Sequence, residues 1–220
     1  MQEKKAERPG FAQLTDARAY ELMDILRDGK PTLAAVMNMG IYPQGFMPQL
    51  CITAVVVPGE NIGDTDDHDI RFSDNKRIEG TLAEQVREAI AFCKRNMKTK
   101  TVIDKQTGER RDIDEYPVAA IREAILNAVI HRDYSIYTEG TPIQVVLYRN
   151  RLEVHSPGNL YGRMTVDQLG VAKPDLRNPA LATMTEALTR AENRYSGIPT
   201  MRREMKLSGL PEPVLENRRH

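Results

Sequence analysis

The sequence contains no tryptophan and only two cysteines among its 220 residues. Cys51 stands in a strand-like apolar run and Cys93 in a helix-like one, so we expect reduced core residues rather than a disulfide or a zinc site. This cysteine usage is typical of a cytoplasmic protein. There is also no signal peptide and no apolar run of membrane-spanning length, so we expect no membrane contact.

The chain has no excess of charge of either sign, because 31 basic side chains balance 31 acidic ones. A neutral chain lacks the positive field that collects nucleic acid without specificity, so any contact with DNA is expected through another part of the protein. Two sequence motifs are missing as well. Without Gly-x-x-x-x-Gly-Lys-[Ser/Thr] there is no support for a motor helicase, and without Gly-x-Ser-x-Gly there is none for a Ser-His-Asp hydrolase.

The most informative segment that is present is YPVAAIREAILNAVIHRDYS, residues 116–135. Its apolar residues recur at helical spacing almost all round the cylinder, which predicts a buried helix. One narrow polar stripe interrupts them, formed by Glu123, Asn127 and His131 at i, i+4 and i+8. Buried carboxylate and amide groups are costly unless something satisfies them, so the stripe is predicted to line a cavity.

Other elements follow from local patterns. Thr15 is predicted to cap a helix that runs to Gly29, and Thr81 a helix that runs to about Asn96. LCITAVVVPG, residues 50–59, is predicted to be a buried strand, and KTKTVIDKQTGERRDIDEYP, residues 98–117, a hairpin. Asn178 and Pro179 have the residue types of an N-cap and first helical position.

The stripe also carries a family resemblance. Glu-x-x-x-Asn followed by Ala resembles the N-box of the GHKL ATPase superfamily. REAILNAVIHRDYS, with the later strings RLEVHSPGNLYGR, LRNPALA and ENRYSGIPTMRREM, more closely resembles the GHKL-like domain of predicted transcriptional regulators labelled ATP-dependent DNA helicase-related, or RecG-related. The resemblance implies an α+β fold, a two-layer α/β sandwich of GHKL (Bergerat) type whose mixed sheet includes residues 143–149 and 151–155.

The domain organisation follows from the same resemblance. Residues 1–14 are predicted to be a flexible leader, residues 15–100 an N-terminal α/β region that links to a preceding family domain, and residues 101–220 a GHKL-like ATP-binding domain that stops before the final strand. The family usually also has a Schlafen AlbA-type part before this region and a winged helix after it, and these would contact DNA.

The resemblance further implies a site for ATP and Mg²⁺. Glu123 would be the catalytic residue that polarises a water, and Asn127 would hold the metal. The nucleotide pocket would be lined by Asn127, His131, Ser156, Gly158, Asn159, Ser196 and Gly197.

This chain departs from the GHKL pattern at three positions. Ser156 replaces the aspartate that would bind the adenine amino group, Leu160 replaces a glycine, and Gly197 is the single glycine of a box that usually has two. Two functions stay open. One is a nucleotide-binding regulatory module of a DNA-binding regulator, with weak binding and slow or absent hydrolysis. The other is a non-catalytic scaffold for homodimerisation or signal transmission.

Overall fold

The structure is a computed structural model that describes residues 6–103, 107–189 and 197–218. Along the sequence, its α-helices come before, between and after the strands, and they differ widely in length. They are α1 (Pro9–Ala12), α2 (Asp16–Leu22), α3 (Leu33–Met39), α4 (Leu82–Asn96), α5 (Val118–His131), α6 (Pro179–Thr189) and α7 (Gly197–Leu207). Short 3₁₀ turns occur at Pro43–Gly45 and Val166–Gln168.

The strands of the described residues form two hairpins and one mixed sheet. The hairpins are β1 (Leu26–Arg27) with β2 (Lys30–Pro31) and β5 (Thr99–Ile103) with β6 (Arg110–Asp114). The sheet has the order β4-β3-β7-β8, from β4 (Asp74–Ile78), β3 (Ile52–Val56), β7 (Ile143–Leu147) and β8 (Leu152–His155). Strands β3 and β7 are parallel, while the two outer pairs are antiparallel.

The helices cover one face of the sheet because the two central strands, β3 and β7, direct alternate side chains into the core. Ile52 and Ala54 of β3 and Ile143 and Val145 of β7 are buried in the core, whereas Gln144 between the last two is exposed. Helix α4 packs on β3, β4 and β7, and α5 packs beside α4 and reaches β8. This arrangement confirms the predicted α+β sandwich with a mixed sheet.

Helix α4 forms where the sequence predicts it. The Thr81 side chain accepts from the Glu84 backbone amide while the Glu84 carboxylate accepts from the Thr81 amide, so two otherwise unpaired donors are satisfied. The inward face of the helix includes Cys93, which is free, as is the buried Cys51. Burial raises the pKa of the Cys93 thiol to about 12, so this side chain is an unreactive core residue.

Two predictions about the first half of the chain meet different outcomes. The helix expected from Thr15 to Gly29 is wrong in its length, because α2 ends at Leu22 and the hairpin β1–β2 follows. Asp24 and Asp28 have positive φ angles, which end helical geometry there. The four-stranded sheet takes β3 from one side of the predicted domain boundary at residue 100 and β7 from the other, and the boundary itself stays a prediction.

Candidate functional site

Helix α5 carries the polar stripe beside a buried apolar face. Seven of its residues are buried, namely Ala120, Ile121, Ile125, Leu126, Ala128, Val129 and Ile130. Glu123, Asn127 and His131 are only partly buried and lie on one side, at the spacing of successive helical turns. Burial of the seven apolar residues fixes the direction in which the stripe points.

Gly197, the first residue of α7, lies directly against the first two members of the stripe. A β-carbon added there would be 3.0 Å from Asn127 Nδ2 and 3.0 Å from Glu123 Oε2. A glycine is therefore what allows the start of α7 to come this close to α5. Glu123 Oε2 and Asn127 Nδ2 are both buried and have no hydrogen-bond partner among the described residues.

Burial changes the acid–base properties of the stripe. Desolvation raises the pKa of the Glu123 carboxyl, and the neighbouring positive charge of Arg122 partly opposes it. Desolvation lowers the pKa of His131, so this imidazole is neutral at physiological pH. A carboxyl with a raised pKa holds a proton more tightly and is a stronger base once ionised.

Ser156 lies at the end of β8, beside the last turn of α5. Its hydroxyl donates to the carbonyl oxygen of Ala128 at 2.8 Å. The Tyr134 hydroxyl donates to the neighbouring carbonyl of Val129 at 2.7 Å. Helix α5 has no glycine at its C-terminal end, so these two hydroxyls satisfy carbonyls that a helix leaves unpaired.

The turn after Ser156 is held by residues from two other segments. Gly158 has a φ of +104°, and a β-carbon there would be only 2.4 Å from Asp133 Cβ. The Asn159 carbonyl accepts from Arg177 Nη2 at 2.8 Å, while Arg177 Nη1 is paired with Asp133 Oδ2 at 3.2 Å. Asp133 and Arg177 thus both contact the turn and are paired with each other.

The predicted site residues therefore fall into two groups. Glu123, Asn127 and Gly197 are in contact at one end of the stripe, whereas Gly158 and Asn159 lie at the other end with Asp133. Ser196 lies outside the described residues. The assigned roles of all these residues stay predictions, since contact alone does not identify a ligand.

Sequence reasoning missed the charged residues that follow α5. Arg132 is 1% exposed, and its Nη2 donates to the carbonyls of Thr138 and Thr141 at 3.0 and 2.7 Å. It thereby fixes the loop that begins with Asp133. A signal was available, because a charged pair directly after an apolar helix without a C-terminal glycine must find partners elsewhere.

A separate cleft of about 760 Å³ lies between hairpin β1–β2 and the start of α6. Its walls include Arg27, Lys30, Arg177 and Asn178. None of the predicted site residues lines it, so this cleft is distinct from the α5 stripe.

Comparison with known proteins gives a family match for the C-terminal part of the chain, which includes some of the predicted site residues. Residues 140–220 match the family model described as "Putative ATP-dependent DNA helicase recG C-terminal". This match supports a GHKL-like domain of the RecG-related type in this part of the chain. The matched segment contains Ser156, Gly158, Asn159, Ser196 and Gly197, while Glu123, Asn127 and His131 precede it.

A solved structure extends the likeness over most of the chain. The chain is similar to the crystal structure of the DIP2311 protein from Corynebacterium diphtheriae, with a TM-score of 0.67 and 23% sequence identity. The similarity covers 94% of this chain but 39% of that protein. Since the identity is low, this likeness concerns the fold alone. No curated protein matches the chain.

Two further observations limit the chemistry of the described residues. No helix within the described ranges is both long and apolar enough to cross a membrane. Among the same residues, no cluster of three or more His, Cys, Asp and Glu side chains is arranged to hold a metal ion.

Proposed function

We propose that this chain is the nucleotide-binding regulatory module of a DNA-binding transcriptional regulator, and that it binds ATP together with Mg²⁺. The observation that carries the proposal is the pair of buried, unpartnered polar atoms, Glu123 Oε2 and Asn127 Nδ2, facing the start of α7. Buried polar atoms are nearly always satisfied in folded proteins, so atoms left without a partner suggest that a ligand supplies one. Membership of residues 140–220 in an ATPase-like family supports a nucleotide as that ligand.

The residues at this end of the stripe fit Mg²⁺ and phosphate. Mg²⁺ prefers oxygen ligands, and it is usually held by one or two protein side chains together with phosphates and waters. The Asn127 amide would supply its oxygen to the metal, and its unpartnered Nδ2 would donate to a phosphate oxygen. The backbone amides at the start of α7 have no partners within the helix, so they would donate to a phosphate. When bound, Mg²⁺ neutralises phosphate charge.

Glu123 would act on water rather than on the metal. Its carboxylate lies one helical turn before Asn127 on the same face. Burial raises its pKa, which favours acceptance of a proton from a water that the carboxylate orients. We propose that hydrolysis is slow or absent, because Ser156 replaces a charged acceptor and Gly197 is the single glycine left of a box that usually has two.

The alternative function is a scaffold of the same fold that has lost nucleotide binding and serves homodimerisation or signal transmission. The observation that favours it is the hydrogen bond from Ser156 to Ala128, because the residue at the adenine-binding position is used to cap α5. In either case, a chain with 31 basic and 31 acidic side chains would leave DNA contact to other parts of the protein.

Thermal unfolding with ATP, with and without Mg²⁺, tests the proposal. A ligand at a hundred times its Kd stabilises the folded state by about 2.7 kcal/mol. For a chain of this size that corresponds to a rise in melting temperature of roughly 5–10 °C. If no ATP concentration up to the millimolar range raises the melting temperature, the scaffold function is favoured.

The variant Asn127→Ala separates this site from adventitious binding. We expect it to remove the Mg²⁺-dependent part of the temperature rise. Asn75→Ala, in an exposed position on β4, is the matched control and should respond to ATP as the unaltered chain does. If ATP stabilises Asn127→Ala as strongly as Asn75→Ala, the nucleotide binds elsewhere.

A further inference from the structure

The turn after β8 has a carboxylate beside it, although its own residues are uncharged. The backbone amide of Asp133 donates to the Pro157 carbonyl at 3.0 Å, which places Asp133 opposite the turn. Only a glycine fits at position 158, because an added β-carbon would overlap Asp133 Cβ at 2.4 Å. The Asp133 side chain is therefore a charged acceptor directly beside the turn that Ser156 begins.

The Ser156 hydroxyl already donates its hydrogen bond to the Ala128 carbonyl. What remains at this position is a pair of neutral lone pairs. A neutral acceptor forms a weaker hydrogen bond than an ionised one and gives less discrimination between donors and acceptors on a ligand. Ser156 thus serves helix α5 first and a ligand only weakly.

Asp133 is held in one orientation but keeps acceptor capacity. Its Oδ1 accepts from the Ser135 amide at 2.9 Å, and its Oδ2 is paired with Arg177 Nη1 at 3.2 Å. A carboxylate has about four acceptor positions, so further positions remain on the two oxygens. The side chain is 17% exposed, which leaves it accessible to a ligand while limiting its contact with water.

Arg177 connects this carboxylate to the turn. Besides the ion pair, it donates to the Asn159 carbonyl at 2.8 Å, and its guanidinium lies 4.8 Å from the centre of the Tyr161 ring. Contacts on three sides fix the planar group and hence the carboxylate that it holds. The charged acceptor is therefore positioned before any ligand arrives.

We infer that Asp133 is the specificity-determining residue for the nucleobase, and that it accepts from the exocyclic amino group of adenine. The inference rests on the proposed function, since it assumes that phosphates lie near Asn127 and Gly197. One helical turn, about 6 Å, separates Asn127 from His131, and Asp133 follows two residues later. The base would then lie beside Gly158, at the far end of the stripe.

Titration calorimetry with ATP and inosine triphosphate in the presence of Mg²⁺ tests the assignment. The second nucleotide has a carbonyl oxygen where adenine has its amino group, and that oxygen would face the carboxylate. We expect the unaltered chain to bind ATP about tenfold more tightly or better. Asp133→Asn should lose this preference, because its amide can present either an acceptor or a donor.

Two controls separate recognition from structural damage. Ser156→Ala removes the neutral hydroxyl, and Asp112→Asn makes the same carboxylate-to-amide change at an exposed position on β6. Both should keep the preference for ATP, even where the two affinities fall together. Loss of the preference in Ser156→Ala would overturn the inference and assign the acceptor role to the serine.

A second measurement needs no variant and so covers the case in which Asp133→Asn fails to fold. ATP that is dimethylated on its exocyclic nitrogen has no hydrogen to donate, and it should bind about as weakly as inosine triphosphate. Affinity equal to that of ATP would overturn the inference. If ATP binding then still requires Mg²⁺ and Asn127, the proposed function stands without it, whereas no ATP binding by the unaltered chain overturns both.

Discussion

Gly158→Ala is expected to destabilise the protein strongly, because two separate costs add at this position. The backbone has a φ of +104°, and a non-glycine residue in such a conformation costs about 1–3 kcal/mol. The new β-carbon would also lie 2.4 Å from Asp133 Cβ, far inside the usual carbon–carbon contact of about 3.5–4.0 Å. Asp133 cannot rotate this atom away, since a β-carbon is fixed by the backbone.

The steric overlap adds roughly 1–3 kcal/mol, the usual cost of overpacking, so the total is about 2–6 kcal/mol. For a chain of this size the melting temperature should fall by roughly 5–20 °C. The matched control is Gly140→Ala, where nothing lies within 4 Å of an added β-carbon. Thermal and urea unfolding of both variants provide the comparison, and equal stability of the two would refute the close approach of Asp133 to the turn.

Two further substitutions test the buried charges. Glu123→Gln should raise the melting temperature near pH 8, because the folded-state pKa of Glu123 is raised and its stabilising contribution is lost as pH rises through that value. The gain over the unaltered chain should shrink toward about pH 4, and a gain equal at both pH values would contradict this. Arg132→Met should cost roughly 1–3 kcal/mol, because two loop carbonyls lose their donor. Hydrogen exchange should accelerate in residues 133–141, whereas exposed Arg149→Met should change neither quantity.

The elements that the sequence predicted well are those whose signals are local. The apolar pattern of residues 116–132 predicts a buried helix, and α5 covers Val118–His131. Thr81 and Glu84 predict the start of α4 because a capping box involves only neighbouring residues. The prediction that the first helix reaches Gly29 was wrong, because strand pairing overrides the helical pattern there. Residues 26–27 pair with 30–31 and form a hairpin instead.

At the candidate site, too, the local pattern could be predicted from the sequence and the long-range contact could not. Helical spacing alone places Glu123, Asn127 and His131 on one face, because the period of the α-helix is fixed by backbone geometry. Sequence spacing carries no information on what faces them. Contact of Glu123 and Asn127 with Gly197 joins residues about 70 positions apart, and it depends on how α7 packs on α5.

The charged acceptor near Gly158 is the clearest case that only the tertiary structure decides. In the sequence, the residue at the expected position is Ser156, and Asp133 belongs to another segment before β7. Folding brings Ser156 and Asp133 together because β8 returns beside the end of α5. There the Ser156 hydroxyl donates to a helix carbonyl that would otherwise be unpaired. The sequence by itself determined the helix and the stripe, since these follow from periodicity, while the mixed sheet was implied by the family resemblance. Which side chains meet across the site was decided by packing between segments far apart in the chain, where each contact depends on the position of all the others.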